Sequence, residues 1–296
     1  MTAAARTAGG TAAGAAEEAA PRVAAERLRL LLRSPSVLVG LAIILVWIVS
    51  ALVGGRLVPF DPYADDLMNT LQPPDGTHWF GTDQLGRDIF SRVVIGARDI
   101  LTVAPLATLL GTVLGTALGL VCGHFRGIVD DVVSRLVEAF LAVPLTIIAL
   151  LALVALGTSN LTVIVVIGVA FAPNVARTVR AAVIQESGLD YVTAARLRAE
   201  GPLRIMFVEI LPNVMGPVLV ETTVRLGYAV FTVATLSFIG FGIQPPSADW
   251  GLAISESYTL VLGGFWWPVL ANAAAIVSLV VALNLVSEGV KGAFEQ

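Results

Sequence analysis

The chain has 296 residues, of which 56% are apolar and only 14% charged, with a formal net charge of −4 and a mean hydropathy of +0.85. A soluble domain of this length keeps roughly a quarter of its residues charged, so the composition excludes an ordinary soluble globule and describes a polytopic membrane protein. The mild acidity leaves no basic field to gather nucleic acid. A single cysteine, Cys122, excludes an internal disulfide and, in its apolar setting, reads as a small buried hydrophobe.

The opening stretch, MTAAARTAGGTAAGAAEEAA, is low in complexity and lacks bulky apolar residues. It predicts a disordered tail over 1–34, and no apolar run with a cleavage site marks it as a secretory signal. A helix crossing about 30 Å of hydrocarbon needs around 20 apolar residues. Uncharged runs predict such spans over roughly 36–54 and 100–122, then a hairpin of two, 137–156 and 161–178, folded at Gly157–Asn160, and two more over 214–240 and 266–286. The first span and an external segment make one unit, 35–99, and the remaining five spans another, 100–290. Pro105, Pro144, Pro173, Pro217 and Pro268 fall in or beside the spans, where neighbouring helices tolerate a kink.

Six spans put both termini on one side, and arginine and lysine say which, because cytoplasmic segments hold the excess. With the termini inside, the inner segments carry Arg6, Arg22, Arg27, Arg29, Arg33, Arg126, Arg135, Arg177, Arg180, Arg196, Arg198, Arg204 and Lys291, against Arg56, Arg87, Arg92 and Arg98 outside. Both termini are therefore expected in the cytoplasm. In the outer segment, Asp83, Arg87, Asp88, Arg92 and Arg98 recur at helical spacings and predict a short surface helix that packs against a partner. The outer loop GIQPPSADWG ends in an amphipathic Trp250, suited to the lipid headgroups or to a docked protein.

One compact charged piece, DYVTAARLRAEGPLRIMFVEILPN (190–213), lies between the fourth and fifth spans. A helix over about 190–200 carries Ala194, Ala195 and Ala199 as a small-residue face, with Arg196 and Glu200 four apart and able to pair. Gly201 and Pro202 break the chain and start a second helix. On it Leu203, Met206, Phe207, Ile210 and Leu211 form one apolar stripe, Pro212 ends it, and Asn213 leads into the fifth span. Such an element either offers itself to a partner's groove or lies flat on the lipid interface.

Within that fifth span Glu221 and Arg225 stand four apart in the favourable order. Charges at such depth are costly and usually functional; the pair either lines a translocation pathway or neutralises itself against a neighbouring subunit. His78 and His124 fall on opposite sides of the membrane and cannot share a metal, so no metal site is expected. The only lysine, Lys291, stands in SEGVKG and not in a G-x-x-x-x-G-K-[S/T] loop, so no nucleotide motif of that type can exist here.

The stretch 190–213 resembles the coupling motif of ABC-importer permeases, E-A-A, three residues, G, ten residues, I-L-P. Thr193-Ala194-Ala195 stands for E-A-A, Ala199 for the glycine, and Ile210-Leu211-Pro212 matches in register. HWFGTDQLGRDIFSRVVIGARDIL (78–101), RLVEAFLAVP (135–144), LSFIGFGIQPPSADWG (236–251) and NLVSEGVK (284–291) are similar to stretches of the C-type permeases of dipeptide, oligopeptide and nickel importers. The resemblance implies an all-α, six-span transmembrane domain of a type I ABC importer in a bacterial cell membrane. It implies ATPase-coupling roles for Tyr191, Ala194, Ala195, Arg196, Ala199, Gly201, Ile210, Leu211, Pro212 and Asn213. The implied partners are a second homologous permease, two ABC ATPase subunits and an extracytoplasmic substrate-binding protein. ATP and Mg would sit on the ATPases, leaving this chain a transport subunit that is no enzyme and binds no cofactor. Dipeptides or oligopeptides are the expected cargo; a nickel chelate or other small solute is the alternative. A stand-alone ion-coupled transporter is the rival of another class, and its intramembrane carboxylates would have to come from Glu221 alone.

Overall fold

The structure, a computed structural model, describes residues 34–294. The predicted tail lies almost wholly outside the described residues. Helices α1 (Pro35–Leu57), α2 (Ile89–Phe125), α3 (Gly127–Leu141), α4 (Leu145–Leu156), α5 (Asn160–Glu186) and α6 (Asp190–Leu197) come first. They are followed by α7 (Pro202–Phe238), α8 (Trp250–Ser257) and α9 (Trp267–Phe294). Five of them, α1, α2, α5, α7 and α9, are long and apolar enough to cross a membrane.

The expected unbroken span over 137–156 does not form. Residues 142–144 separate α3 from α4, which meet at 88°. Pro144, without an N–H, sits just before α4 rather than inside a helix. The 12 residues of α4 reach only about 18 Å at a 1.5 Å rise, short of the hydrocarbon thickness, so a sixth crossing exists only if the bent pair is counted as one. Pro268 likewise lies in the first turn of α9, whereas Pro105, Pro173 and Pro217 lie inside helices. The turn at 157–160 forms as expected, with Gly157 at φ +84° and Ser159 capping α5 through the Thr162 N–H.

The most extensive helix contact joins α2 to α5. Gly111, Gly115, Gly119 and Gly123 recur at four-residue steps down one side of α2. A Cβ on Gly115 would come 2.5 Å from Val175 Cβ and 2.6 Å from Ala172 O, and one on Gly119 would come 2.7 Å from Val179 Cβ. Lipid gives no hydrophobic drive for helices to associate, so close backbone approach and van der Waals contact must supply it. Around this pair pack α7 and α9, with α1 held between α2 and α9 and α4 against α5. Ile100, Val103, Ala107, Ile167, Val233, Leu236 and Leu279 fill the core between them. Cys122 is buried, as its setting suggested.

The outer segment differs from expectation. Residues 82–88 form a turn, not a surface helix; α2 begins only at Ile89, capped by Asp88, which accepts from the Ser91 N–H at 2.8 Å. Except for exposed Arg98, the charges are spent inside the chain. Asp83 accepts from Arg87 Nε at 2.7 Å, Arg87 reaches Glu256 at 3.3 Å, and buried Arg92 donates to the carbonyls of Pro62 and Ser247. Trp250, expected at a lipid or protein surface, is fully buried. Its indole donates to Val93 O at 2.9 Å and meets Trp47 edge-on at 4.7 Å. Asp249 caps α8 through the Leu252 N–H at 2.9 Å, and burial pushes its carboxyl up to about 6.

Between α6 and α7 the backbone turns through Ala199, at φ +55°, in the left-handed region. That ends α6 at Leu197 and destroys the expected i,i+4 relation of Arg196 and Glu200; Glu200 instead meets Arg198 at 2.8 Å and Arg204 at 3.4 Å. The helix resumes at Pro202 and does not stop at Pro212. Ile205–Ile210 form a π turn, closed by the Leu211 N–H on Met206 O, so that Pro212 falls at the start of the next regular turn, where its missing donor costs little.

Three outcomes follow for purified protein in detergent. Gly115→Leu forces α2 and α5 apart and should lower the stability of the fold by about 1–3 kcal/mol or more, whereas Gly292→Ala, with nothing within 4 Å of the added methyl, should leave the melting temperature unchanged. Ala199→Gly relieves about 1–2 kcal/mol of left-handed strain against about 0.4–1 kcal/mol of added chain entropy, so a small rise in melting temperature is expected and a fall would show an unstrained turn. The folded state holds the Asp249 proton more tightly than the unfolded chain does. Its contribution, on the order of 3 kcal/mol, is therefore present below about pH 4 and lost as pH rises through about 6; in Asp249→Asn that part of the pH dependence should vanish.

Candidate functional site

The segment 190–213 is built as two short pieces with opposite duties. Inward, Val192, Ala195, Ile205, Met206 and Ile210 join Val179 and Val183 of α5 and Val214 and Val218 of α7 in a second, smaller core. Ala195 is completely buried there, Ala194 half-buried and Ala199 exposed. The expected common face of the three alanines therefore does not exist; the segment's own helices use the close approach at Ala195. The apolar stripe is divided too. The wide π turn re-aims its residues, so Met206 and Ile210 point into the core while Leu203 and Phe207 point out.

Outward, Leu197 is 84% exposed, Leu203 67% and Phe207 51%, with Leu189 and Val208 beside them. Arg196, Arg198, Gly201 and Pro212 are exposed around this ridge. Tyr191 and Asn213 fasten it. The Tyr191 hydroxyl donates to Glu186 Oε2 at 2.7 Å, and Asn213 Nδ2 donates to Tyr191 Oη at 3.2 Å and to the Glu209 carbonyl at 2.7 Å. Burial, together with the Glu186 carboxylate, pushes the Tyr191 phenol up to about 12, so the hydroxyl keeps its proton and the link is intact at neutral pH. Leu211 packs on the same core.

From Pro202 to Phe238 the chain is one helix of 37 residues. Leu203 and Phe207 of the exposed ridge therefore sit at one end of the rod that carries Glu221 and Arg225. Arg225 stands about 20 Å from each end of Leu211–Phe238 by helix rise, deep in the span. Arg225 Nε donates to Glu221 Oε1 at 2.6 Å, and Thr178 of α5 donates to Glu221 Oε2 at 3.2 Å. Both carboxylate oxygens are thus engaged. The guanidinium carbon lies 5.4 Å from the ring centre of exposed Tyr228.

Sequence reasoning found the pair but missed its setting. Thr178, the third partner, lies 43 residues away on another helix. Thr112 and Thr222 exchange a hydrogen bond at 3.1 Å between α2 and α7, and Thr223 meets Ser287 of α9 at 3.1 Å. Hydroxyls at helical spacing around an intramembrane charge were the available signal. Elsewhere, His78 bonds Asp88 at 2.9 Å, and the described residues hold no group of three His, Cys, Asp or Glu side chains fit for a metal ion.

Comparison with known proteins places these features. The family described as binding-protein-dependent transport system inner membrane component matches residues 115–296, and the N-terminal TM domain of oligopeptide transport permease C matches residues 25–74. The dipeptide transport system permease protein DppC of Bacillus subtilis is 34% identical over 267 residues, covering 90% of this chain and 83% of that protein. The di/tripeptide transport system permease protein DppC of Pseudomonas aeruginosa is 33% identical over 262 residues, 86% of each chain. The oligopeptide transport system permease protein OppC of Bacillus subtilis is 32% identical over 258 residues, 87% of this chain and 84% of that one. Among solved structures, a chain of the MetNI methionine ABC transporter in an inward-facing conformation superposes with a TM-score of 0.56 at 21% identity, covering 69% of this chain and 95% of that chain. With a family match over more than half its length and relatives above 30% identity along nearly all of it, this chain belongs to the binding-protein-dependent transport system inner membrane components, as a multi-pass permease subunit of an ABC transporter.

Proposed function

We propose that this chain forms half of the translocation pathway of an ATP-driven importer of dipeptides or oligopeptides. Its pathway wall includes Glu221 and Arg225, and its segment 190–213 docks on a cytoplasmic ATPase. The observation that carries the proposal is the continuity of α7: the exposed Leu203 and Phe207 and the mid-membrane ion pair belong to one unbroken helix. The peptide cargo is taken from the relatives, whose names state it.

In this reading the remaining partners are a second homologous permease, two ATPases that hold ATP and Mg, and an extracytoplasmic binding protein that delivers the peptide. This chain itself holds no cofactor and does no hydrolysis. The arginine and lysine bias puts the ridge and both termini in the cytoplasm, and counting α3 with α4 as one crossing gives the even number that this requires. Leu197, Leu203 and Phe207 seat in an apolar groove of the ATPase, and Arg196 at the rim orients it. Tyr191, Asn213, Ile210 and the backbone turn at Ala199–Gly201 keep the ridge rigid on α7. ATP must bind the outward-open and inward-open arrangements unequally, since equal binding would shift nothing. ATPase closure then displaces the ridge, and α7 carries that displacement to Glu221 and Arg225.

Deletion of the chain should abolish uptake of a labelled dipeptide. Uptake by the intact strain should stop on ATP depletion even while a proton gradient is maintained; uptake that persists would indicate ion coupling. Leu197→Asp with Phe207→Asp alters only exposed side chains, so the protein should accumulate at wild-type levels. Uptake should nevertheless fall by about tenfold or more, as expected when hot-spot contacts of an interface are lost, and ATPase should no longer co-purify. Unchanged uptake would remove the ridge from the coupling path.

A further inference from the structure

We infer that Arg225 is a receptor for the carboxylate of the solute in transit, and that it gives the permease its own preference for acids over their neutral derivatives. This inference rests on the placement of Glu221 and Arg225 in the pathway wall.

The geometry of the guanidinium carries it. Arginine offers one edge from Nε and one fork from its two Nη groups, and the fork matches the two oxygens of a carboxylate. Here Nε is the nitrogen that bonds Glu221. Glu221 turns its other oxygen away to Thr178, so it does not close the fork. Among the described residues no protein acceptor bonds either Nη group. An open cationic fork in mid-membrane is tolerated only where it meets water or an incoming partner, because hydrocarbon leaves each unpaired donor at a cost of several kcal/mol.

Three further features make the fork usable. The Thr178 bond and the Glu221 bond fix the guanidinium from behind, so little side-chain freedom is lost when an anion arrives. Tyr228, exposed beneath it, bounds the position with a ring face. Glu221 also offsets most of the charge, so a carboxylate is oriented by two hydrogen bonds rather than trapped by a bare cation. A transport site needs that balance, because its ligand must leave.

The test compares uptake of a labelled dipeptide with that of its C-terminal amide, in the full importer, for the wild type, Arg225→Gln and Arg225→Lys. Any preference of the binding protein enters every variant equally, so the quantity read is the acid-to-amide ratio of each variant divided by that of the wild type. Loss of two charge-assisted hydrogen bonds predicts a fall in that quantity of about tenfold or more for Arg225→Gln. Arg225→Lys, which keeps the charge and loses the fork, should also fall, and it serves if the glutamine variant does not accumulate. An unchanged ratio with wild-type uptake intact overturns the inference while leaving the transport reading in place. Equal losses for acid and amide, with a loosened complex, overturn it in favour of a carboxylate on the neighbouring permease. Absence of dipeptide uptake in the wild type overturns the transport reading itself, and the receptor with it.

Discussion

The close approach of α2 to α5 is the constraint on which the other placements depend. Four glycines in register let two long helices meet backbone to backbone, and every later element is positioned on that pair. It sets Thr178 where it can reach Glu221, and Thr112 where it can reach Thr222. It also presents Val179 and Val183 as the floor on which 190–213 rests. A membrane protein has no bulk hydrophobic collapse between helices to rely on, so a misfit at one glycine would propagate to the site and to the ridge together.

On this frame α7 links two kinds of surface. Its Pro202 end is apolar on the outside and tightly packed on the inside; its middle carries a braced ion pair with an open fork. The π turn at Ile205–Ile210 is what allows both. It lets the helix run past Pro212 without a break, and it turns Met206 and Ile210 inward while leaving Leu203 and Phe207 outside. Wide turns of this kind often mark functional positions in helices. The segments 59–98 and 240–257, with Arg92, Asp83 and Trp250 buried among them, tie the Ile89 end of α2 to the Phe238 end of α7.

Much of this was legible in the residues. Charge-free runs located α1, α5 and α9, the short break at Gly157–Asn160 was visible, and the motif at 190–213 fixed a helix–turn–helix. The unreadable parts have physical causes. Hydropathy does not show that Pro144 turns the chain through 88°, because the residues next to it on both sides, Ala139–Val143 and Leu145–Leu156, are uncharged. Helical periodicity misassigned Met206 and Ile210, since a π turn changes the period locally. Alternating charges at 83–98 looked like a short surface helix packed against a partner, but only the folded chain brings the carbonyls of Pro62 and Ser247 to Arg92. Ala199 is the instructive case: the glycine that the motif expects there corresponds to a real left-handed backbone, and this chain keeps the conformation with an alanine in place.

The central claim, that the exposed ridge of 190–213 is where an ATPase takes hold of α7, has a direct measurement. The full complex would be extracted gently from native membranes with a cysteine at Leu197, in a Cys122→Ala background, and treated with a short heterobifunctional crosslinker. Mass spectrometry would then identify what is joined to that position. A crosslink to a P-loop ATPase, recovered together with a second permease, is the result this account predicts. A position 197 that reacts only with lipid or solvent, in a chain that still transports, would contradict it and leave the ridge as a helix lying on the membrane surface.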